Sequence, residues 1–243
     1  MTSVLALASS SITYVKTSNG TNVEVFQRSE LSQSQIENCN SYCDAKFPSA
    51  DRIVSASARY NCHSFAWYFQ NVNTNQYWMN NPDDYYNDNS YFEVSYDDVQ
   101  PRDKICYFNS EGYNLHSGIV LYLTGELANN VCGYSNTVGV QSKWGSCGLY
   151  NHKGDYCPYI YLHGGEASYV KFYRINQSHT HSFYYSHFND EYHYENCSCG
   201  SLLVKHNFTL NMVHPLSEYS PNYIPEYVCV DCGFSTLKPV SVI

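Results

Sequence analysis

Tyr60-Asn61-Cys62-His63-Ser64-Phe65-Ala66-Trp67-Tyr68 is the stretch on which the fold turns. From Cys62 onward the apolar residues Phe65, Ala66 and Phe69 fall at helical spacing, which predicts a helix reaching about Asn71 with its Phe65 side buried. Asn61, just ahead, is a residue type that caps helix starts. Cys62 then sits on the first turn, where unpaired N–H groups and the positive end of the helix dipole favour thiolate, the nucleophilic form. The residues leave two readings open. Cys62 is a nucleophile, or it is a buried or disulfide-bonded cysteine among the 11 in the chain.

Upstream, Ile12, Tyr14, a Thr-Ser-Asn-Gly-Thr-Asn turn, then Val23 and Val25 read as a hairpin. Residues 30–46 read as a helix with Leu31, Ile36, Cys39 and Cys43 near one face, stopped by Pro48. Cys39 and Cys43 are four apart, a spacing open to a metal, although a core or disulfide role suits two cysteines better. Downstream, residues 77–96 form a polar, aromatic loop carrying Trp78, Tyr85, Tyr86, Tyr91 and Phe92. These rings either line a substrate groove or cover the core. Short strands follow at Lys104–Phe108, His116–Leu123, Val138–Trp144, Tyr159–Leu162 and Tyr169–Tyr173. A helix bearing Cys, then an antiparallel sheet bearing His at a strand start, is α+β logic.

At 243 residues the chain is long enough for one sizeable core plus a smaller module. Only 14% of residues are charged, while Tyr alone supplies 26, an extracellular style of surface. The net charge of −9 argues against nucleic acid, which needs clustered Lys and Arg, and against anionic lipid. No apolar run is long enough for a membrane span. The N-terminal Met1-Thr-Ser-Val-Leu-Ala-Leu-Ala-Ser reads either as the remnant of a secretory signal or as a plain strand after an added Met. Eleven cysteines suggest an oxidising compartment or a metal site, and an odd count leaves a thiol unpaired.

The order of motifs resembles the papain-like cysteine peptidases of the NlpC/P60 and CHAP kind, over roughly residues 20–175. Asn61-Cys62-His63-Ser64-Phe65-Ala66-Trp67 is similar to their nucleophile helix. Arg102-Asp103-Lys104-Ile105-Cys106-Tyr107-Phe108 is similar to their Gly-Asp-apolar-apolar-aromatic strand, with Arg102 where Gly is usual. His116-Ser117-Gly118-Ile119-Val120 is similar to the strand that carries the base. Ser142-Lys143-Trp144-Gly145, His152 and Cys157-Pro158-Tyr159 look like a subgroup of secreted Firmicutes proteins. The resemblance implies Cys62 as nucleophile and His116 as the group that deprotonates it and then protonates the leaving amine. It places a third, orienting group on the strand after the His strand, with Gln141 and Ser142 as candidates on opposite faces; Ser142 is the one we carry forward, in place of the usual His, Asn or Glu. The oxyanion hole would use the Cys62 N–H and a neighbour, with Tyr60 either there or in the core. His63 is not the base, because adjacent helix residues do not face each other. It reads as a groove or packing residue. His152 reads as a loop residue, at the site or on the surface.

From about Asn176 the composition shifts to His179, His181, His187 and His193, then Cys197-Ser-Cys199-Gly, His206, and Cys229-Val-Asp-Cys232-Gly. Two tight turns that each aim two sulfurs at one point suit tetrahedral Zn²⁺, and a segment this short with few aliphatics needs a staple. Cys197, Cys199, Cys229 and Cys232 are the expected ligands of a structural zinc. His193 or His206 is open as a replacement, and two disulfides are the alternative.

Together these give an α+β chain: a papain-like domain over 1–175, its nucleophile helix packed on an antiparallel sheet, and a zinc-ribbon-like module over 176–243. The expected protein is a secreted or cell-surface bacterial thiol hydrolase with Cys62, His116 and Ser142 at its site. Its partner would be a peptide or peptidoglycan substrate, with no nucleic acid and no membrane span. A non-enzymatic extracellular binding protein is the second reading.

Overall fold

The computed structural model describes residues 11–129 and 131–176, and beyond 176 only separate strand segments. The chain divides into two compact units, Met1–Ser182 with Cys197–Leu202, and Phe183–Asn196 with Leu203–Ile243. The fold is α+β, with few helices and a mostly antiparallel sheet.

The first unit opens with a hairpin, β1 (Ser11–Lys16) and β2 (Asn22–Gln27), paired from Ser11↔Gln27 to Lys16↔Asn22. Its inward residues are Val15, Val23 and Val25, whereas Ile12 and Tyr14 point to solvent. Helix α1 (Gln33–Lys46) starts at a capping box, in which the Ser32 hydroxyl accepts from the Gln35 N–H while the Gln35 side chain accepts from the Ser32 N–H. It ends two residues before Pro48, and Cys43 is its one buried residue.

Seven strands form one sheet: β3 (Asp51–Val54), β4 (Tyr91–Val94), β5 (Lys104–Phe108), β6 (Asn114–Leu123), β7 (Val138–Lys143), β8 (Leu149–Lys153) and β9 (Tyr169–Ile175). The order is β3-β8-β7-β6-β5-β9-β4 and every pairing is antiparallel. Strands β3, β4 and β8 were not anticipated from the sequence, while Tyr159–Leu162, read as a strand, holds one isolated bridge at Ile160 and a 3₁₀ turn over Tyr161–His163.

Both faces of this sheet are buried. One face carries Cys106, Phe108, Ile119 and Leu149, covered by Val23, Val25, Phe65, Trp67, Met79, Tyr85 and Tyr91. The other carries Ile105, Tyr107, Val120, Val140 and Tyr150, covered by Cys43 and Phe47 and by Cys157, Ile160 and Ala167. The short helix therefore covers one face and α1 the other. Of the aromatics in 77–96, Tyr85 and Tyr91 are core, with ring centroids 5.6 and 5.0 Å from that of Trp67.

Arg102, just before β5, has φ of +79°, the left-handed region in which a glycine is free of strain. Asp103 beside it is buried and holds Arg174 through two contacts of 2.8 and 2.7 Å. It ties β9 to the start of β5.

In the second unit, Phe208–Pro215 pairs antiparallel with Tyr223–Cys229, whose end pairs with Ser235–Thr236. Tyr184–Ser186 pairs antiparallel with part of Tyr192–Cys197. Among the described residues no helix is long and apolar enough to cross a membrane.

Candidate active site

The helix at Cys62 is short. Cys62 and His63 are α-helical, Ser64–Tyr68 form a π-helical turn, and Phe69 is already extended, so the helix does not reach Asn71. The Asn61 side chain caps it, its Oδ1 accepting from the N–H of Ser64 at 3.2 Å. The same side chain donates to Met79 O at 2.7 Å and accepts from Met79 N at 3.1 Å, which fixes the following loop against the start of the helix.

Cys62 is 4% exposed. Burial pushes its thiol up to about 11, against the pull of backbone hydrogen bonds from Ser117, His63 and its own amide and of the nearby Lys143. The expectation of a ready thiolate is corrected here. So short a helix offers a small dipole, and desolvation of the anion outweighs it.

His116 lies near the start of β6 and is fully buried. The pairs Cys106↔Ser117 and Tyr107↔His116 fix the faces: Ser117 looks to the Cys62 helix and His116 to the α1 side. The Ser117 hydroxyl sits 2.9 Å from His63 Nδ1 and accepts from the Trp67 indole at 2.9 Å. His63 is thus a buried packing residue, and burial pulls its imidazole down to about 4. The Ser117 amide, next in the chain to His116, favours the Cys62 thiolate, while the His116 ring lies on the other face and makes no hydrogen bond to the Cys62 sulfur among the described residues.

The end of β7 lies beside the start of β6. There Ser142 Oγ stands 2.9 Å from His116 Nε2, 2.7 Å from His152 Nε2 and 3.1 Å from the Trp144 indole nitrogen. Gln141, on the other face, binds Asn151 instead. Gly118 makes room for this contact: a Cβ there would fall 2.5 Å from Val140 Cγ1 and 3.1 Å from Ser142 Cβ.

Donor and acceptor roles follow from one end of this chain. His152 Nδ1 lies 2.8 Å from Lys153 O, which only accepts, so Nδ1 carries a proton. Burial pulls His152 down to about 4, so its ring is neutral and Nε2 is a lone pair. The Ser142 hydroxyl therefore donates to His152 and accepts from Trp144 and from His116 Nε2–H. His116 is then the Nε2–H tautomer with a lone pair on Nδ1, and that atom has no hydrogen-bond partner among the described residues. Burial holds the His116 ring well below the usual imidazole range. The sequence reading left His152 open between the site and the surface and put it on a loop, because its strand β8 carries too little apolar alternation to register.

Two more groups complete the surroundings. Tyr159 stacks on His116 with centroids 3.8 Å apart and planes 8° from parallel, closing that side. Lys143 is fully buried on the helix side and donates to the carbonyls of Ser57 at 2.9 Å, Gly145 at 2.7 Å and Cys147. Its ammonium lies 5.0 Å from the Tyr60 ring centroid, which places Tyr60 in the core.

Of the expected zinc ligands, Cys197, Cys199 and Cys232 have side chains outside the described residues. Cys229 is buried, with its sulfur 3.9 Å from His193 Nδ1. Among the described residues no three His, Cys, Asp or Glu side chains are placed to hold a metal ion.

Comparison with protein-family models, with curated proteins and with solved structures gives no match to this chain.

Proposed function

We propose that the chain is a papain-like thiol hydrolase of the NlpC/P60 or CHAP kind that cleaves amide bonds, with peptides of the bacterial wall as the substrate class. One observation carries this reading: a buried His116 whose Nε2–H is spent on Ser142 and whose Nδ1 lone pair is free, beside the strand residue that touches Cys62. A general base needs that state, a basic nitrogen held by its partner on the far side of the ring.

The resting pair is a neutral thiol and a neutral imidazole. On substrate binding the Cys62 proton passes to His116 Nδ1 as sulfur attacks the carbonyl carbon. The Cys62 N–H faces the oxyanion, and Lys143, whose amine burial pulls down to about 7, favours the anionic steps in its protonated form. His116 then gives its proton to the leaving amine, and water, deprotonated by His116, hydrolyses the thioester. Ser142 is a neutral orienter, so the imidazolium gains a hydrogen bond and no counter-charge. This predicts a slow enzyme relative to carboxylate-assisted ones.

In this reading residues 176–243 are a zinc-stapled module with Cys197, Cys199, Cys229 and Cys232 as ligands of a structural ion, and the protein works outside the cell. The closeness of His193 to Cys229 supports His193 as a ligand or as a partner of that thiolate.

A second reading has support in the closure of the site. Cys62 is almost wholly buried and Tyr159 lies flat on His116, as expected of a binding protein that keeps the pair without turnover. The two separate in a digest of purified cell wall by the full chain and by Cys62→Ala, read by mass spectrometry. New peptide termini with the first alone support the hydrolase, and identical digests support the binding protein.

A further inference from the structure

Trp78 stands outside the core that its chain neighbour enters. Met79 is fully buried and is held by both ends of the Asn61 amide, at 2.7 and 3.1 Å. Trp78 is half-buried and Asn80 exposed, on the other side of the backbone. Trp78 pairs with Phe26 in an antiparallel bridge, each N–H donating to the other's carbonyl at 2.8 Å. Residues paired in this way point to one side. Val25 is fully buried, so Phe26 points outward beside Trp78.

The outer side holds a hollow of about 250 Å³ lined by Phe26, Arg28, Trp78 and Asn80. The Arg28 guanidinium lies over the Trp78 ring, its central carbon 4.1 Å from the ring centroid. Stacking of this kind holds an exposed cation in one place. The ion pairs of arginine among the described residues use Arg52, Arg59 and Arg174, and none takes Arg28. Glu24 lies on the same outer face of β2 and makes no ion pair with Arg28. Both walls are fixed, Phe26 by the hairpin and Trp78–Asn80 by the Asn61 clamp, so the geometry is set before any ligand arrives.

We propose that this hollow binds a sugar ring that carries a carboxylate. The Phe26 and Trp78 rings offer flat apolar surface to the C–H face of a pyranose. The Asn80 amide offers donors and an acceptor to a hydroxyl or acetamido group. The planar fork of Arg28 takes the carboxylate through paired N–H groups. The volume suits a single sugar residue, below the range of sites for larger ligands. An extended peptide fits less well, because the main-chain groups of Phe26 and Trp78 that would pair with it are bonded to each other. In a chain of net charge −9, an unpaired guanidinium is where an anionic ligand meets complementary charge. The hollow shares no residue with the Cys62 and His116 pair, and the proposal holds whether or not the protein is a hydrolase.

N-acetylmuramic acid and N-acetylglucosamine are the probes, since they differ by a lactyl carboxylate. Each is titrated into the full chain at low salt and followed by calorimetry. N-acetylmuramic acid should bind with a Kd on the order of 1 mM, about tenfold tighter than N-acetylglucosamine, the share a charge-assisted pair supplies. Arg28→Gln, at an exposed position, should bring the two sugars to equal affinity, and Trp78→Ala should weaken both several-fold. No saturable binding of N-acetylmuramic acid overturns the proposal, as do equal affinities of the wild-type chain for the two sugars or a preference that survives Arg28→Gln. Lactate binding as tightly as the acidic sugar would reduce the site to a general anion contact. A tripeptide with a free C-terminal carboxylate binding as tightly would make it a peptide-terminus site, and either result overturns the sugar assignment. Wall digestion by Arg28→Gln reports on Cys62 separately, since no residue of the hollow belongs to the proposed hydrolytic chain.

Discussion

The hydroxyl of Ser142 lies 2.9 Å from Nε2 of His116. Since that hydroxyl spends its own proton on His152, it receives one from His116, and the free lone pair of His116 sits on Nδ1. The partner of His116 is thus a neutral hydroxyl with a second histidine behind it.

Replacing Ser142 by Ala removes the acceptor that selects the tautomer. Wall-peptide hydrolysis should fall by about 10²-fold in kcat with KM little changed, because the loss concerns proton transfer. His152→Ala should act in the same direction and more weakly, since Ser142 keeps its hydroxyl and loses its direction. Steady-state kinetics on both variants, with their pH profiles, check this. A merely structural role would lower stability and leave the profile of the folded fraction unmoved.

Acid should unfold the first unit. His63 and His152 are pulled from 6.5 to about 4 by burial, so the unfolded chain binds more protons than the folded one. Stability is then full above pH 6.5 and declines as pH falls toward 4, by up to about 3 kcal/mol for each group. Urea unfolding at pH 7, 5.5 and 4.5 measures the slope, and His152→Gln should flatten it.

Arg102 occupies a backbone conformation with φ of +79°. Arg102→Gly should be more stable than Arg102→Ala by about 1 kcal/mol, because only glycine takes that conformation without strain. The comparison of the two variants isolates the backbone from the lost guanidinium, and chemical denaturation of each is the measurement.

Metal removal should act on residues 176–243 alone. If zinc holds Cys197, Cys199, Cys229 and Cys232, a chelator opens the segment after Asn176 to proteases and leaves wall hydrolysis by residues 1–175 largely intact. Metal analysis of the purified chain, with limited proteolysis before and after chelation, checks this. Activity lost in step with zinc would make the metal catalytic and remove Cys62 from its assigned role.

Much of the first unit was legible because apolar and aromatic residues mark it: β5, β6, β7, β9, the hairpin and α1 all stand near their expected places. Strands β3 and β8 were hidden because Asp51-Arg-Ile-Val54 and Leu149-Tyr-Asn-His-Lys153 are largely polar, and they are held as strands by ladder hydrogen bonds to their neighbours. β4 was hidden in a run rich in Asn, Asp and Tyr, of whose tyrosines Tyr85 and Tyr91 turn out to be core. Tyr159-Ile-Tyr-Leu162 has a strand's composition, yet its tyrosine is spent on the His116 ring. Motif order singled out His116 and the strand that holds its partner, and the structure puts Ser142 rather than Gln141 against the His116 ring. The protonation states were not legible, because burial is a property of the whole fold and here it reverses the expected ionisation of Cys62.

The transfer of the Cys62 proton to His116 Nδ1 is the central claim; Cys62 is buried, and Tyr159 covers the His116 ring. The direct measurement is the iodoacetamide labelling rate of Cys62, by peptide mapping from pH 6 to 10, in Tyr159→Ala and in Tyr159→Ala with His116→Ala. Opening the ring should speed labelling over wild type. With His116 present, Cys62 should label at neutral pH at least about tenfold faster than without it, and in the double variant the rate should climb only toward pH 11, as for a buried thiol with no base. Equal rates in the two variants at neutral pH, or Cys62 recovered in a disulfide, would contradict the account.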